Sequence, residues 1–181
     1  RANPAIFSHE TLFKINSDIG LLTQVRYFSP EGEEIGRGPL PPEVGAQTTY
    51  WIYFRVGNVL NTLENATLTL VFADKNVGWT SRTATSLGSD FLFDPFAQRA
   101  SWVLGEIPAN RSFALAPPQA QIEVFAVPES DDRGQIPLLL KEIILSGRDT
   151  YTGVVLEKKY PPLDADLRFD ERGRVKGYKV K

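Results

Sequence analysis

Cysteine and methionine are both absent from these 181 residues, and histidine occurs once, at His9. Without Cys there is no disulfide, no thiolate nucleophile and no zinc–sulfur centre. The same absence leaves the compartment open. Without Met, Arg1 is not a translation start, so the chain is expected to be a processed product or an excised domain. No apolar run approaches the ~18 residues that a membrane helix needs, so direct membrane insertion by this segment is not expected and any anchor would lie outside it. Charge of one sign is also lacking. With 20 basic and 22 acidic residues the net charge is −2, which gives no electrostatic footprint for nucleic acid.

Catalytic motifs are missing too. A Ser-His-Asp triad needs an imidazole oriented by a carboxylate beside a hydroxyl, whereas His9 adjoins Ser8 in a stretch without periodicity. No G-x-S-x-G elbow presents a serine. Glu31, Glu33 and Glu34 fall in a turn and Asp131-Asp132 in a loop tip, where solvated charge is the ordinary reading rather than a glycosidase pair. The chain is read as non-enzymatic.

What is present is turn chemistry and aromatic bulk. The 14 Gly and 13 Pro are scattered, which suits short strands joined by turns, and 11 Phe, 6 Tyr and 3 Trp supply large side chains for a core. Everything is organised around Gly36 to Asn58. Pro39, Pro41 and Pro42 lack backbone donors and have fixed φ, so Gly38 to Pro42 is a corner and not an interior strand. From Thr48 to Val56 strand formers follow without interruption. Alternation places Tyr50, Ile52, Phe54 and Val56 on the core face, and Thr49, Trp51, Tyr53 and Arg55 on the other.

The run Gly36-x-Gly38-Pro39-Leu40-Pro41-Pro42-x-Val44-Gly45-x-x-Thr48-x-Tyr50, followed by Asn58, resembles the immunoglobulin-like repeat domain of bacterial and archaeal cell-surface proteins. The version it is most similar to belongs to long membrane-anchored proteins of uncultured ultra-small bacteria. Phe93-Asp94, Trp102-x-Leu104-Gly105-x-Ile107 and Gly147-x-Asp149-x-Tyr151-Thr152-Gly153 extend the likeness over roughly residues 20 to 160. At Ala73 to Trp79 the chain departs from that pattern, which has Leu-Pro-Pro before the Trp. The resemblance implies an extracellular or cell-surface setting. It also implies partners among other domains of the same surface protein or neighbouring subunits.

Taken in order, residues 1–9 are expected to be a flexible lead, residues 10–163 the sandwich and residues 164–181 a C-terminal strand or hairpin extension, or a linker. Strands are expected at Glu10 to Asn16, Leu21 to Phe28, Thr48 to Val56 and Ala66 to Phe72, the last with Ala66, Leu68, Leu70 and Phe72 inward. Trp79 to Thr85 reads as a loop or short strand. Short strands are expected again at Asp90 to Asp94, Ser101 to Leu104 and Ser112 to Ala116, with Gln121 to Val127 next. Leu138 to Leu145 could be helical by composition, but Pro137 before it and Gly147 after it favour a strand, with Val154 to Lys159 paired to it. Asp164 to Phe169 and Arg174 to Lys181 would then form a last hairpin. The fold class is all-β: an immunoglobulin-like antiparallel β-sandwich of about ten short strands with little or no helix.

Three candidate sites follow. Trp51 and Tyr53, on the non-core face of the central strand, could stack on a saccharide ring, which makes glycans candidate partners. Asp164, Asp166 and Asp170 are candidate calcium ligands, although they do not fit the D-x-[DN]-x-[DN]-G loop. Calcium is therefore the one cofactor left open. Val175, Tyr178 and Val180 alternate with Lys176, Lys179 and Lys181, as in a lysine-protected edge strand or one that pairs with a neighbouring subunit. Asn65-Ala66-Thr67 and Asn110-Arg111-Ser112 are glycosylation triplets of ordinary chance frequency. The expected function is a structural or adhesive module, with a carbohydrate-binding module or a strand-exchanging filament subunit as alternatives.

Overall fold

The structure, a computed structural model, describes residues 14–57, 59–109 and 116–181. The expected lead over residues 1–9 with His9, the triplet at Asn110, and all but the last residue of the short strand expected at Ser112 to Ala116 therefore lie outside the described residues. Thr48–Val56 forms β2, and its alternation is carried into space as expected: Tyr50, Ile52, Phe54 and Val56 are all buried. In its sheet β2 lies between β1 (Leu21–Arg26) and β7 (Gln119–Ala126), and β7 pairs in turn with β4 (Val77–Thr85). The facing sheet is built on β3 (Leu63–Phe72), which lies between β6 (Arg99–Ile107) and the twelve-residue β8 (Leu138–Asp149). The short β5 (Leu92–Asp94) extends it beyond β6, while β9 (Val155–Tyr160) and β10 (Leu163–Asp164) share the outer edge of β8.

All of these pairings are antiparallel. The order β1-β2-β7-β4 facing β9-β8-β3 is the A-B-E-D against G-F-C arrangement of an immunoglobulin-like sandwich. The β5–β6 hairpin, inserted between the D and E equivalents, widens the second sheet along the free edge of β3. Ala66, Leu68, Leu70 and Phe72 of β3 face the core. They meet Ile122 and Val124 of β7, and Trp102 and Leu104 of β6, in one continuous cluster. Each such aliphatic or aromatic side chain contributes about 1.5–3 kcal/mol by leaving water. Leu138 to Leu145 is strand, as expected, and β8 pairs with β9 over Ile143 to Arg148 and with β10 at Leu138 and Leu140.

Several expectations need correction. Trp79 to Thr85 belongs to a full nine-residue strand, which keeps its register with β7 only by a bulge between Trp79 and Thr83. Ser101 to Leu104 is the middle of a longer β6. Lys14 to Asn16 carry no strand, and the rest of that expected element lies outside the described residues. Most importantly, no hairpin closes the chain. After β10 the backbone turns at Ala165 to Asp170 and forms a six-residue helix, α1 (Glu171–Lys176), with Gly177 as C-cap.

Strand directions place the two ends of the described chain at opposite poles. Ser17 reaches β1 at the pole that carries the β2–β3 and β8–β9 turns, whereas residues 165–181 lie at the pole of the β1–β2 and β7–β8 loops. Twelve residues of β8 span the distance between them, about 40 Å at the usual strand rise.

Candidate functional site: two carboxylate clasps and an outer sheet face

Each pole is fastened by one buried aspartate. At the first, Asp149 ends β8 with its side chain fully buried. Its Oδ2 accepts from the Ser17 backbone N–H (2.9 Å) and from Asn61 Nδ2 (2.9 Å), and its Oδ1 from the N–H groups of Tyr151 and Thr152 (3.0 Å each). One carboxylate thus ties the incoming chain, the β2–β3 turn and the β8–β9 turn together. Burial works to raise its pKa. The bonds from Asn61, Ser17 and Thr152 outweigh burial and hold the carboxyl well below the usual range. Asn61 also donates to the Ile15 carbonyl (2.8 Å), and Ser17 Oγ accepts from the Asn61 N–H (2.7 Å).

At the second pole Asp170 is the N-cap of α1 and is only 3% exposed. Its Oδ1 accepts from the Gly173 N–H (2.8 Å), the usual capping bond, while its Oδ2 accepts from the N–H groups of Tyr27 and Phe28 (2.7 Å each). The cap is therefore also a bridge from helix to sandwich. Arg172 and Lys176 lie over the Phe28 ring at 5.2 and 4.8 Å. Beyond α1, Val180 exchanges backbone bonds with Gly134 and Gln135, and the Lys181 N–H reaches the Pro42 carbonyl.

These contacts account for the residues expected to be calcium ligands and an assembly edge. The carboxyl of Asp170 is committed to three backbone donors. Asp166 is held by Arg168 at 2.6 and 2.7 Å. The Asp164 carboxyl is raised, first by burial and then by the charge of Asp166. Among the described residues no group of three or more His, Cys, Asp or Glu side chains is gathered for a metal. Val175, Tyr178 and Val180 share no strand face. Val175 projects from α1 into solvent at 84% exposure, Tyr178 packs on the core, and Val180 is buried.

The outer face of the four-stranded sheet is ruled by strand register. Gln24, Tyr53, Gln121 and Ala84 form one row across β1, β2, β7 and β4, and Arg26, Trp51 and Glu123 form the next. Neighbours within a row stand ~4.5–5.5 Å apart. The β4 bulge, with Ser81 at φ 69°, turns Arg82 back over this face. Its guanidinium lies 5.2 Å above the Trp51 ring and 2.9 Å from the buried Glu123 carboxylate. Glu123 also accepts from Thr80 Oγ1 at 2.7 Å and Thr49 Oγ1 at 3.3 Å. Trp51 donates its indole N–H to the Ile35 carbonyl (3.1 Å).

One face of Trp51 is thus taken by Arg82 and its edge by the 34–37 loop, so the expected Trp51–Tyr53 pair is not a bare platform. Tyr53 lines both grooves of this face, one of about 440 Å³ beside Gln119 and Arg55 and one of about 560 Å³ beside Arg37 and Arg82. Its hydroxyl pKa is pushed up by burial, with Arg26 opposing and Glu31 assisting. The sequence signalled neither the Arg82–Glu123 cover nor the amide row. Both depend on cross-strand register and on one bulge.

No protein-family model matches the chain, and no curated protein does. Solved structures do resemble it. The major pilin subunit BcpA of Bacillus cereus superposes with a TM-score of 0.50 at 11% identity, covering 82% of this chain and 40% of the pilin. The full-length major pilin SpaD of Corynebacterium diphtheriae gives 0.45 at 11% identity, covering 80% of this chain and 34% of the pilin. A DUF4466 family protein of Parabacteroides merdae gives 0.35 at 12% identity, covering 83% of this chain and 45% of that one. The chain thus spans well under two thirds of the length of each. At such identities the likeness to the first is one of fold: this chain is an all-β, immunoglobulin-like sandwich of the kind found in a pilin domain.

Proposed function

We propose that this chain is a non-enzymatic structural module of a cell-surface protein, a spacer, stalk or assembly domain that passes tension from one pole to the other. The observation that carries the reading is the placement of the two clasps. Asp149 fastens the incoming segment at one end of the sandwich and Asp170 fastens the outgoing segment at the other. A neighbouring domain at each end would pull along the strands. The load would first run along β1 and through the Asp170 bonds to Tyr27 and Phe28. Once that clasp gave, β1 would slide against β2 in shear, with its six register pairs loaded together rather than one at a time. The likeness of fold to a pilin domain supports the same setting, as does the resemblance to immunoglobulin-like surface repeats. Among the described residues no helix is long and apolar enough to cross a membrane.

The test is single-molecule pulling. Because the chain has no Cys, handles can be placed at will. Pulling through the two termini should need a distinctly higher unfolding force than pulling through Leu22→Cys with Arg55→Cys. That exposed pair lies directly across β1–β2, so the second geometry unzips the strands. Equal forces in the two geometries would remove the mechanical reading.

A further inference from the structure

The rows on the outer face of the β1-β2-β7-β4 sheet hold chemistry that a spacer does not need. Tyr53 offers a half-exposed aromatic ring with a glutamine on either side, Gln24 and Gln121, and Gln119 lies one row away. Each amide carries two donors and one acceptor, the complement of adjacent sugar hydroxyls. A planar ring between such amides is a surface on which a pyranose can stack. The two grooves share Tyr53 and Gln121 in their linings, so together they make a trough that borders the ring.

Charge narrows the ligand. Among the described residues Glu123 is paired with Arg82, and Glu34 with Lys176 at 3.8 Å. Among the described residues Arg26, Arg37 and Arg55 have no carboxylate within ion-pair distance, and neither groove is lined by an unpaired carboxylate. Unpaired guanidiniums therefore exceed unpaired carboxylates along this trough, on a chain whose net charge is −2. Along β2, Arg55 stands one row to one side of Tyr53, and Arg37, bridged to Thr49, borders the groove on the other side. Guanidinium forks bind carboxylates in two-point fashion.

We propose that this face binds a carboxylate-bearing polysaccharide: Tyr53 stacks on a sugar ring, Gln24 and Gln121 bond its hydroxyls, and Arg37 and Arg55 pair with uronate groups on either side. The inference is independent of the mechanical reading, because it concerns the broad face of one sheet and not the poles.

Oligogalacturonates titrated calorimetrically into the full chain without divalent cations provide the test. Binding should appear and weaken as salt rises, and neutral dextran oligosaccharides should give none. Tyr53→Ala should weaken binding at least tenfold and Tyr53→Phe by much less. The double variant Arg37→Gln with Arg55→Gln, at two exposed positions, should weaken it with no change in Tm and flatten its salt dependence. Lys159→Gln, on the opposite sheet, should leave it intact. The proposal is overturned if the wild-type chain does not bind, or if dextran binds equally. It also fails if Lys159→Gln weakens binding as much as the arginine pair does, the mark of unspecific charge attraction.

Discussion

Asp149 and Asp170 do the same kind of work at opposite poles, and the difference between them lies in water. Asp149 accepts four hydrogen bonds, but only the one from the Ser17 N–H is fully buried, and those from Asn61, Tyr151 and Thr152 lie at partly wet positions. Asp170 accepts three, and every one is sealed from solvent. A donor near the surface that loses its partner can turn to water, whereas a sealed donor cannot. The clasp with fewer bonds is therefore the more costly to remove. Counting bonds would rank the two the wrong way round.

The sharpest way to break this comparison is Asp170→Ala. It strands the N–H groups of Tyr27, Phe28 and Gly173 and removes the cap of α1, so a loss of about 4 kcal/mol is expected. Urea denaturation should show it as a lower midpoint at unchanged slope. Asp149→Ala should cost about half as much, roughly 2 kcal/mol, since three of its four donors can rehydrate. If the Asp149 variant proved the weaker protein, the water argument would be wrong. The two sites sit at opposite poles and share no partners, so the double variant should lose the sum of the single losses to within about 0.5 kcal/mol.

Acid gives a second handle on the Asp149 clasp. The Asp149 carboxyl is depressed below its ordinary value of 3.8, so the folded state holds its proton less tightly than the unfolded chain does. That stabilisation is complete above about pH 4 and is lost as the pH falls through the depressed folded value. Wild-type stability measured by urea midpoint should therefore decline below pH 4. The Asp149→Ala variant should decline less steeply there, and parallel curves would refute the assignment.

How far the sequence reveals all this depends on the range of the interactions. The core strands were legible because their signal is local. Tyr50, Ile52, Phe54 and Val56 alternate in β2, and Ala66 to Phe72 alternate in β3, and burial follows that alternation in both. The tail was misread for an equally physical reason. Val175, Tyr178 and Val180 separated by lysines imitate a strand, and a six-residue helix with a glycine inside it has almost no propensity of its own. What makes it helical is the cap at Asp170 together with the long-range bonds to Tyr27 and Phe28, some 140 residues away in sequence. Asp149 was visible as part of Gly147 to Gly153, but its bonds to Ser17 and Asn61 were not. The outer face was half legible. Alternation alone places Tyr53 and Trp51 on it, while Arg82 arrives only because β4 bulges at Ser81.

The smallest effect, and the one that probes the Asp170 clasp most finely, is Gly173→Ala. In an exposed helix this change would add stability, since alanine is about 1 kcal/mol better than glycine. Gly173 is buried, however, and an added Cβ would meet Leu167 Cδ1 at 2.8 Å and Asp170 Oδ2 at 2.9 Å. Leu167 is fully buried and the carboxylate is held by three donors, so neither can move freely. Overpacking of about 1–3 kcal/mol then outweighs the propensity gain, and a net loss of about 1 kcal/mol is expected. In the Asp170→Ala background the carboxylate is gone, so the same substitution should cost less or become neutral. Equal penalties in both backgrounds would mean that Leu167 alone sets the limit and that the glycine is not there to serve the clasp.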